Sequence, residues 1–131
     1  MPWALIEVRR RWSREEETAI IDAVHGALVA AFRIPVKDRH VRLQVHEPHR
    51  FAHPPALSEP EYATLVSVDC FAGRSAEAKR RLYGEITGRL EPLGIPRDHV
   101  SITLRESAAE NWGIRGGQAA CDVDLGFNVK V

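Results

Sequence analysis

The sequence is short of the features that mark most specialised protein classes. It has no excess of charge: 18 Lys and Arg stand against 18 Asp and Glu in 131 residues. No broad field therefore draws the chain to nucleic acid or to an anionic membrane surface. The segment RRRWSREEE joins a basic run to an acidic one and reads as a solvated turn leading into a helix, with carboxylates favoured in the first turn. A nucleic-acid patch needs more basic residues and a net positive balance. No apolar run approaches the ~20 residues of a membrane-spanning helix, and the N-terminus lacks a secretory-signal pattern. There are only two cysteines, Cys70 and Cys121. A disulfide framework is thus not indicated, and the expectation is reduced thiols in a cytoplasmic protein. Metal-ligand spacing is also missing. His46, His49 and His53 lie close in HEPHRFAH, but Pro48 and Pro54 disfavour a helix presenting them together. No cysteine or carboxylate pattern completes a site, so neither a metal nor another cofactor is expected.

What is present begins at the N-terminus. Pro2 follows the initiator methionine and precedes a strand-like run, Trp3–Val8. Removal of Met1 leaves Pro2 with a free secondary amine, a base and nucleophile that no internal residue supplies. With Met1 retained, the same nitrogen is a tertiary amide and carries no proton.

The remainder reads as one unit occurring twice in a single domain. In the first, about residues 2–46, Ser13 opens a capping box with Glu16. Ile20, Val24 and Leu28 then mark the apolar stripe of a helix running to about Phe32, stopped by Pro35. Val41, Leu43 and Val45 alternate as a second strand. In the second unit, about residues 63–105, Leu65–Phe71 repeats the first strand and Ser75 the cap. Ala78, Leu82, Ile86 and Leu90 repeat the helix, and Val100, Ile102 and Leu104 the last strand. The predicted fold class is therefore α/β (α+β), with two βαβ units forming a four-stranded sheet and two helices on one face. The opposite face carries apolar side chains that oligomerisation would cover. Residues 106–131 form the tail, where Val123, Leu125, Phe127 and Val129 alternate like one more strand, available to a neighbouring subunit. The proline-rich linker HEPHRFAHPPALSEPEY reads as a long surface loop able to border a site.

Pro2, the helix segment DAVHGALVAAF, IPVKDR with Asp38, VHEP with His46, AGRS with Arg74 and ENWG with Trp112 occur in an order that resembles the tautomerase superfamily. The fused, double-unit form looks most like the branch of malonate semialdehyde decarboxylase and the fused 4-oxalocrotonate tautomerases. The resemblance implies a tautomerase-like (MIF-like) fold assembled as a homotrimer, with no cofactor. It implies a catalytic amine at Pro2, a substrate carboxylate held by Arg74, water bound or activated by Asp38, and a pocket wall at Trp112. One kind of decarboxylase in the branch has two arginines flanking a proline where this chain has Ala72-Gly73-Arg74; another has a single arginine in the same A-G-R setting. Members commonly read W-S-F-G where this chain has Trp112-Gly113-Ile114-Arg115. Arg115 alters the pocket wall, so substrate identity does not transfer. Further candidates are Glu110, as an acid near Trp112, and His46.

The expected activity is keto–enol tautomerisation of small keto or enol carboxylates by a neutral Pro2. The alternatives are decarboxylation of a β-keto acid by a protonated Pro2, conjugate hydration with Asp38 or Glu110 activating water, and a non-catalytic oligomer with Pro2 blocked. Plainer roles compete at each position. Asp38 has a turn cap or an ion pair with Arg39 or Arg42 as its other reading, Trp112 has core packing, Arg74 a solvated loop position, and Glu110 a solvated carboxylate. A cation just ahead of a helix start is unfavourable by itself and gains sense when an anionic ligand is shared with the helix amides.

Overall fold

A computed structural model describes residues 1–131. The chain opens with strand β1 (Trp3–Val8), whose alternate residues Ala4, Ile6 and Val8 are buried. Helix α1 (Arg14–Phe32) follows. Both halves of its capping box are made: Glu16 N–H donates to Ser13 Oγ at 3.1 Å, and Ser13 N–H donates to the Glu16 carboxylate at 2.9 Å. Strand β2 (Val41–Val45) lies parallel to β1. The second unit supplies β3 (Thr64–Phe71), α2 (Ala76–Leu90) capped by Ser75, and β4 (Val100–Ser107), with β3 and β4 parallel.

The two units join through antiparallel pairing of β1 with β3, giving the strand order β2-β1-β3-β4. Both helices pack on one face. Ile20, Val24, Leu28 and Phe32 of α1 meet Leu82, Ile86 and Leu90 of α2 over Ile6, Val66 and Val68, all at most 1 % exposed. No helix is long and apolar enough to cross a membrane.

The open sheet face carries apolar side chains, as expected, but polar and charged ones as well. Trp3, Leu5 and Leu65 share it with Arg42, Gln44, Ser67, Thr103 and an Arg105–Asp69 pair whose two hydrogen bonds measure 2.8 and 3.1 Å. The linker does not approach the N-terminus. It is moored at the far end of the sheet, where Arg9 donates to the Phe51 carbonyl (2.7 Å) and Arg10 to the Tyr62 hydroxyl (2.9 Å) while lying over the Trp12 ring. The basic run is thus partly structural rather than solvated.

The tail is also not a strand. Asp124 accepts the Gly126 N–H and Asn128 accepts the Lys130 N–H through their side chains, and Gly126 has φ +80. Such local side-chain bonds compete with an extended ladder. Earlier in residues 106–131 lies a short hairpin, β5 (Gly113–Ile114) with β6 (Gln118–Ala119). The tail then folds back until the Val131 carbonyl accepts the Ser75 N–H at 3.0 Å.

Leu82 is fully buried between the helices and the sheet, whereas Tyr83 on the outer side of α2 is 37 % exposed. Leu82→Ala is expected to lower unfolding stability by about 2–5 kcal/mol. Tyr83→Ala is expected to stay within about 1 kcal/mol. Urea unfolding, with the slope unchanged for both, measures the difference.

Candidate active site

The antiparallel β1–β3 pairing decides where the N-terminus lies. Trp3 is opposite Asp69 near the end of β3, so the residues ahead of Trp3 reach the C-terminal ends of β3 and β4. Pro2 is buried there. The segment 33–40 arrives at the same place from the other side, because Ala4 N–H donates to the His40 carbonyl at 2.9 Å. Within it, Asp38 N–H closes a turn onto the Pro35 carbonyl at 3.0 Å and its carboxylate pairs with the α-amine of Met1. The other carboxylate oxygen of Asp38 is 3.5 Å from His40 Nε2.

The amine is drawn in two directions. Burial holds its pKa below the ordinary α-amine value and the Arg74 charge adds to that, while the hydrogen bond and charge of Asp38 oppose both.

Arg74 sits between β3 and α2 and is only 5 % exposed. Its guanidinium stacks over the Phe32 ring at 4.6 Å, and Nη1 donates to the Phe71 carbonyl at 3.3 Å. Nε and Nη2 are buried with no hydrogen-bond partner. Burial pushes its pKa down, yet a guanidinium stays charged, so this is a buried cation with two free donors. Unpaired buried charge is costly. The free pair, Nε and Nη2, is the edge that grips a carboxylate with two parallel bonds.

Trp112 is buried at the same end of the sheet. It meets Phe71 and Trp3 edge-on at 4.9 and 5.0 Å, and its ring N–H donates to Ser107 Oγ at 2.8 Å. A cavity of about 450 Å³ opens beside this cluster, lined by Met1, Trp3, Asp38, His40, Arg115 and Phe127 among others. Arg115 holds a left-handed backbone (φ +49) and donates to the Asp124 carbonyl at 2.9 Å. The Met1 side chain packs against the Phe71–Trp112–Ile114 cluster.

The structure therefore brings Pro2, Asp38, Arg74 and Trp112 to one end of the sheet, with Arg115 on the cavity wall. It does not bring His46. Glu110 reaches the same end, two residues before Trp112, but is exposed in the turn Ala109–Asn111; like Pro2, Arg74 and Trp112, it is not among the residues that line the cavity. His46 lies just beyond β2 at the opposite end of the sheet, where Nε2 bonds Glu7 at 2.9 Å and the ring meets Phe51. No group of three or more His, Cys, Asp or Glu is arranged to hold a metal ion. Sequence reasoning passed over His40 as a cavity residue. Its signal was modest: it stands two residues after Asp38 and immediately before β2.

A family model described as tautomerase enzyme matches residues 38–115. A probable tautomerase of Ralstonia nicotianae is 38% identical over 53 residues, covering 40% of this chain and 76% of that protein. Among solved structures, FG41 malonate semialdehyde decarboxylase inhibited by 3-bromopropiolate is 33% identical with a TM-score of 0.79, over 89% of this chain and 92% of that one. A fused 4-OT solved as a symmetric trimer is 24% identical with a TM-score of 0.70, over 91% and 96% of the two chains, a likeness of fold. The family match begins at the aspartate that pairs the terminal amine, takes in Arg74 and Trp112, and ends at Arg115. The chain belongs to the tautomerase superfamily, in the branch of malonate semialdehyde decarboxylase.

Proposed function

We propose that the chain, once Met1 is removed, is a cofactor-free tautomerase that uses the Pro2 amine as its proton carrier on small keto or enol carboxylates. The observation that carries this reading is the free Nε and Nη2 edge of Arg74, a buried cation within the field of the terminal amine and Asp38. Removing one residue moves the amine by about one Cα step, ~3.8 Å, and keeps it within the same cluster. It also empties the space that the Met1 side chain fills.

At the Met1 amine, burial and then Arg74 favour the neutral form; a Pro2 amine one step along the chain would meet the same influences. A neutral Pro2 takes the enol hydroxyl proton while the electron pair moves through the conjugated system to carbon. The proton is then returned to that carbon, so the reaction consumes none. Arg74 holds the substrate carboxylate by a forked contact, and Trp112 and Phe127 keep the site apolar. General base catalysis of this kind supplies roughly 10²–10⁴-fold. Asp38 limits how far the amine's basicity falls, and a homotrimer would offer one such amine per subunit.

A second reading is favoured by the 33% identity to a malonate semialdehyde decarboxylase. Protonated Pro2 would donate to the carbonyl of a β-keto acid, the carbon–carboxylate bond would break, and the electron pair would pass to an enolate as carbon dioxide departs. One solvent proton per turnover completes the product. The two readings have opposite pH signs. Tautomerisation by the neutral amine rises with pH through the amine pKa, and decarboxylation by the ammonium falls through it.

The test compares ketonisation of phenylenolpyruvate with carbon dioxide release from malonate semialdehyde, using protein whose intact mass shows Met1 removed. Faster ketonisation with a rising acid limb is expected. Pro2→Ala keeps a primary amine and is expected to lower kcat about 10–100-fold, while Arg74→Ala raises KM about 10–100-fold. Turnover by protein that retains Met1 throughout, or turnover unchanged in both variants, rules this assignment out.

Small carboxylates are expected to stabilise the folded chain by filling the free edge of Arg74. Malonate at a hundred times its dissociation constant should add about 2.7 kcal/mol. The rise in Tm should appear with the wild-type protein and vanish in Arg74→Leu.

A further inference from the structure

We infer that His25, on the core side of α1, is a positioning residue that holds Asp38 against the terminal amine. His25 is 5 % exposed and its Nε2 lies 2.7 Å from the Val36 carbonyl. A carbonyl only accepts, so Nε2 carries the proton. The ring's other nitrogen, Nδ1, is buried without a partner. An unmatched buried polar atom costs about 1–3 kcal/mol, and the rest of that helix face is aliphatic or aromatic. An apolar residue there would avoid the penalty but lose this tie from the helix core to the segment carrying Asp38. Val36 lies inside the Pro35–Asp38 turn, so fixing its carbonyl fixes the turn that aims the carboxylate.

The duplication supplies an internal control. Aligning the caps Ser13 and Ser75, and the stripes Ile20, Val24, Leu28 and Leu82, Ile86, Leu90, sets His25 against Thr87. Thr87 turns its hydroxyl to its own helix, at 3.1 Å from the Tyr83 carbonyl and 3.3 Å from that of Gly84. It holds no loop. In the segment after α2, Asp98 has a side chain 82 % exposed and pairs with the neighbouring His99. The Asp38 side chain is 12 % exposed. Only the half that ends beside a terminal amine has the tether, and only there is the aspartate turned inward.

The consequence falls on the amine. Asp38 from the segment before β2 raises its basicity, and Arg74 from the segment before α2 lowers it. His40 touches the same carboxylate, and Lys37 and Arg115 line the cavity nearby. Releasing Asp38 leaves the lowering influences in place. The other ties of the segment, Arg39 to Asp22 of α1 and the His40 carbonyl to Ala4, remain in a His25 variant. The aspartate is therefore loosened rather than lost.

This inference rests on the catalytic reading of the N-terminus only for its effect on turnover, so the test reads the amine itself. Nitrogen NMR of the proline-labelled, processed protein follows the Pro2 titration in wild type, His25→Leu, His25→Gln and Asp38→Asn. His25→Leu is expected to move the midpoint down by roughly one pH unit, in the direction of Asp38→Asn. His25→Gln, whose amide N–H reaches the same place, should restore it. Adding His25→Leu to Asp38→Asn should move it no further. A midpoint unmoved in His25→Leu, while Tm falls, means the ring only packs the core and overturns the proposal. So does a double variant whose two shifts add. If His25→Leu fails to fold, the comparison rests on His25→Gln against His25→Asn, whose shorter side chain cannot reach; equal midpoints in these two overturn it. A shifted titration in a protein without turnover would sink the catalytic reading and leave the tether standing.

Discussion

A chain has one α-amine, and in this fold it lies at the head of a central strand instead of in solvent. Everything around the site follows from that placement. The antiparallel meeting of β1 and β3 sends the N-terminus to the end of the sheet where β3 and β4 finish, which is also where α2 begins. A buried ammonium needs a counter-charge, supplied by Asp38, and it sits within the field of a second cation at Arg74. The unpartnered Nε and Nη2 of Arg74 leave this corner short of an acceptor, whichever charge the amine carries. An anionic ligand would correct that shortage, which joins the electrostatics of the fold to carboxylate chemistry.

Much of the architecture was legible because each half states its own period twice. Ser13 and Ser75 cap, the apolar stripes recur at helical spacing, and β2 and β4 alternate. Two readings of one pattern gave the elements and the parallel pairing within each unit, while the antiparallel join of β1 to β3 is seen only in the structure. The tail misled for a physical reason. Val123, Leu125, Phe127 and Val129 alternate as a strand does, but Asp124 and Asn128 occupy the intervening positions and bond to backbone N–H groups two residues on. Alternation in a segment rich in Asx residues and glycine is a weak strand signal. The linker misled differently: proline content shows that it is irregular and says nothing of which end of the sheet it covers. Arg9 and Arg10 decide that, through contacts that no local pattern reveals.

At the site, Asp38, Arg74 and Trp112 were readable from ordered motifs, although each had an ordinary alternative. The structure separates these from His46, which the same motifs also offered. His46 follows a strand parallel to β1, so it leaves the sheet at the end remote from Pro2. Strand direction, invisible in residue types, made the distinction. The role of His25 was hidden because a histidine beside an apolar stripe is usually a satisfied core residue. Its partner, the Val36 carbonyl, belongs to the backbone and leaves no mark in the sequence.

The halves of a duplicated protein are free to diverge wherever the chain's ends break their equivalence. On the proposed reading the first half offers a free amine, whereas the second is entered through a peptide bond near Tyr62-Ala63. The burial of Met1 against Phe71 and Trp112 has a practical corollary for handling the protein. A purification tag fused ahead of Pro2 would have to thread its backbone out through the cavity, and a protease scar of even one residue would convert the ring nitrogen to an amide. On the proposed reading, affinity handles belong on an exposed loop such as Pro54–Ala56, away from the nitrogen that this reading needs free.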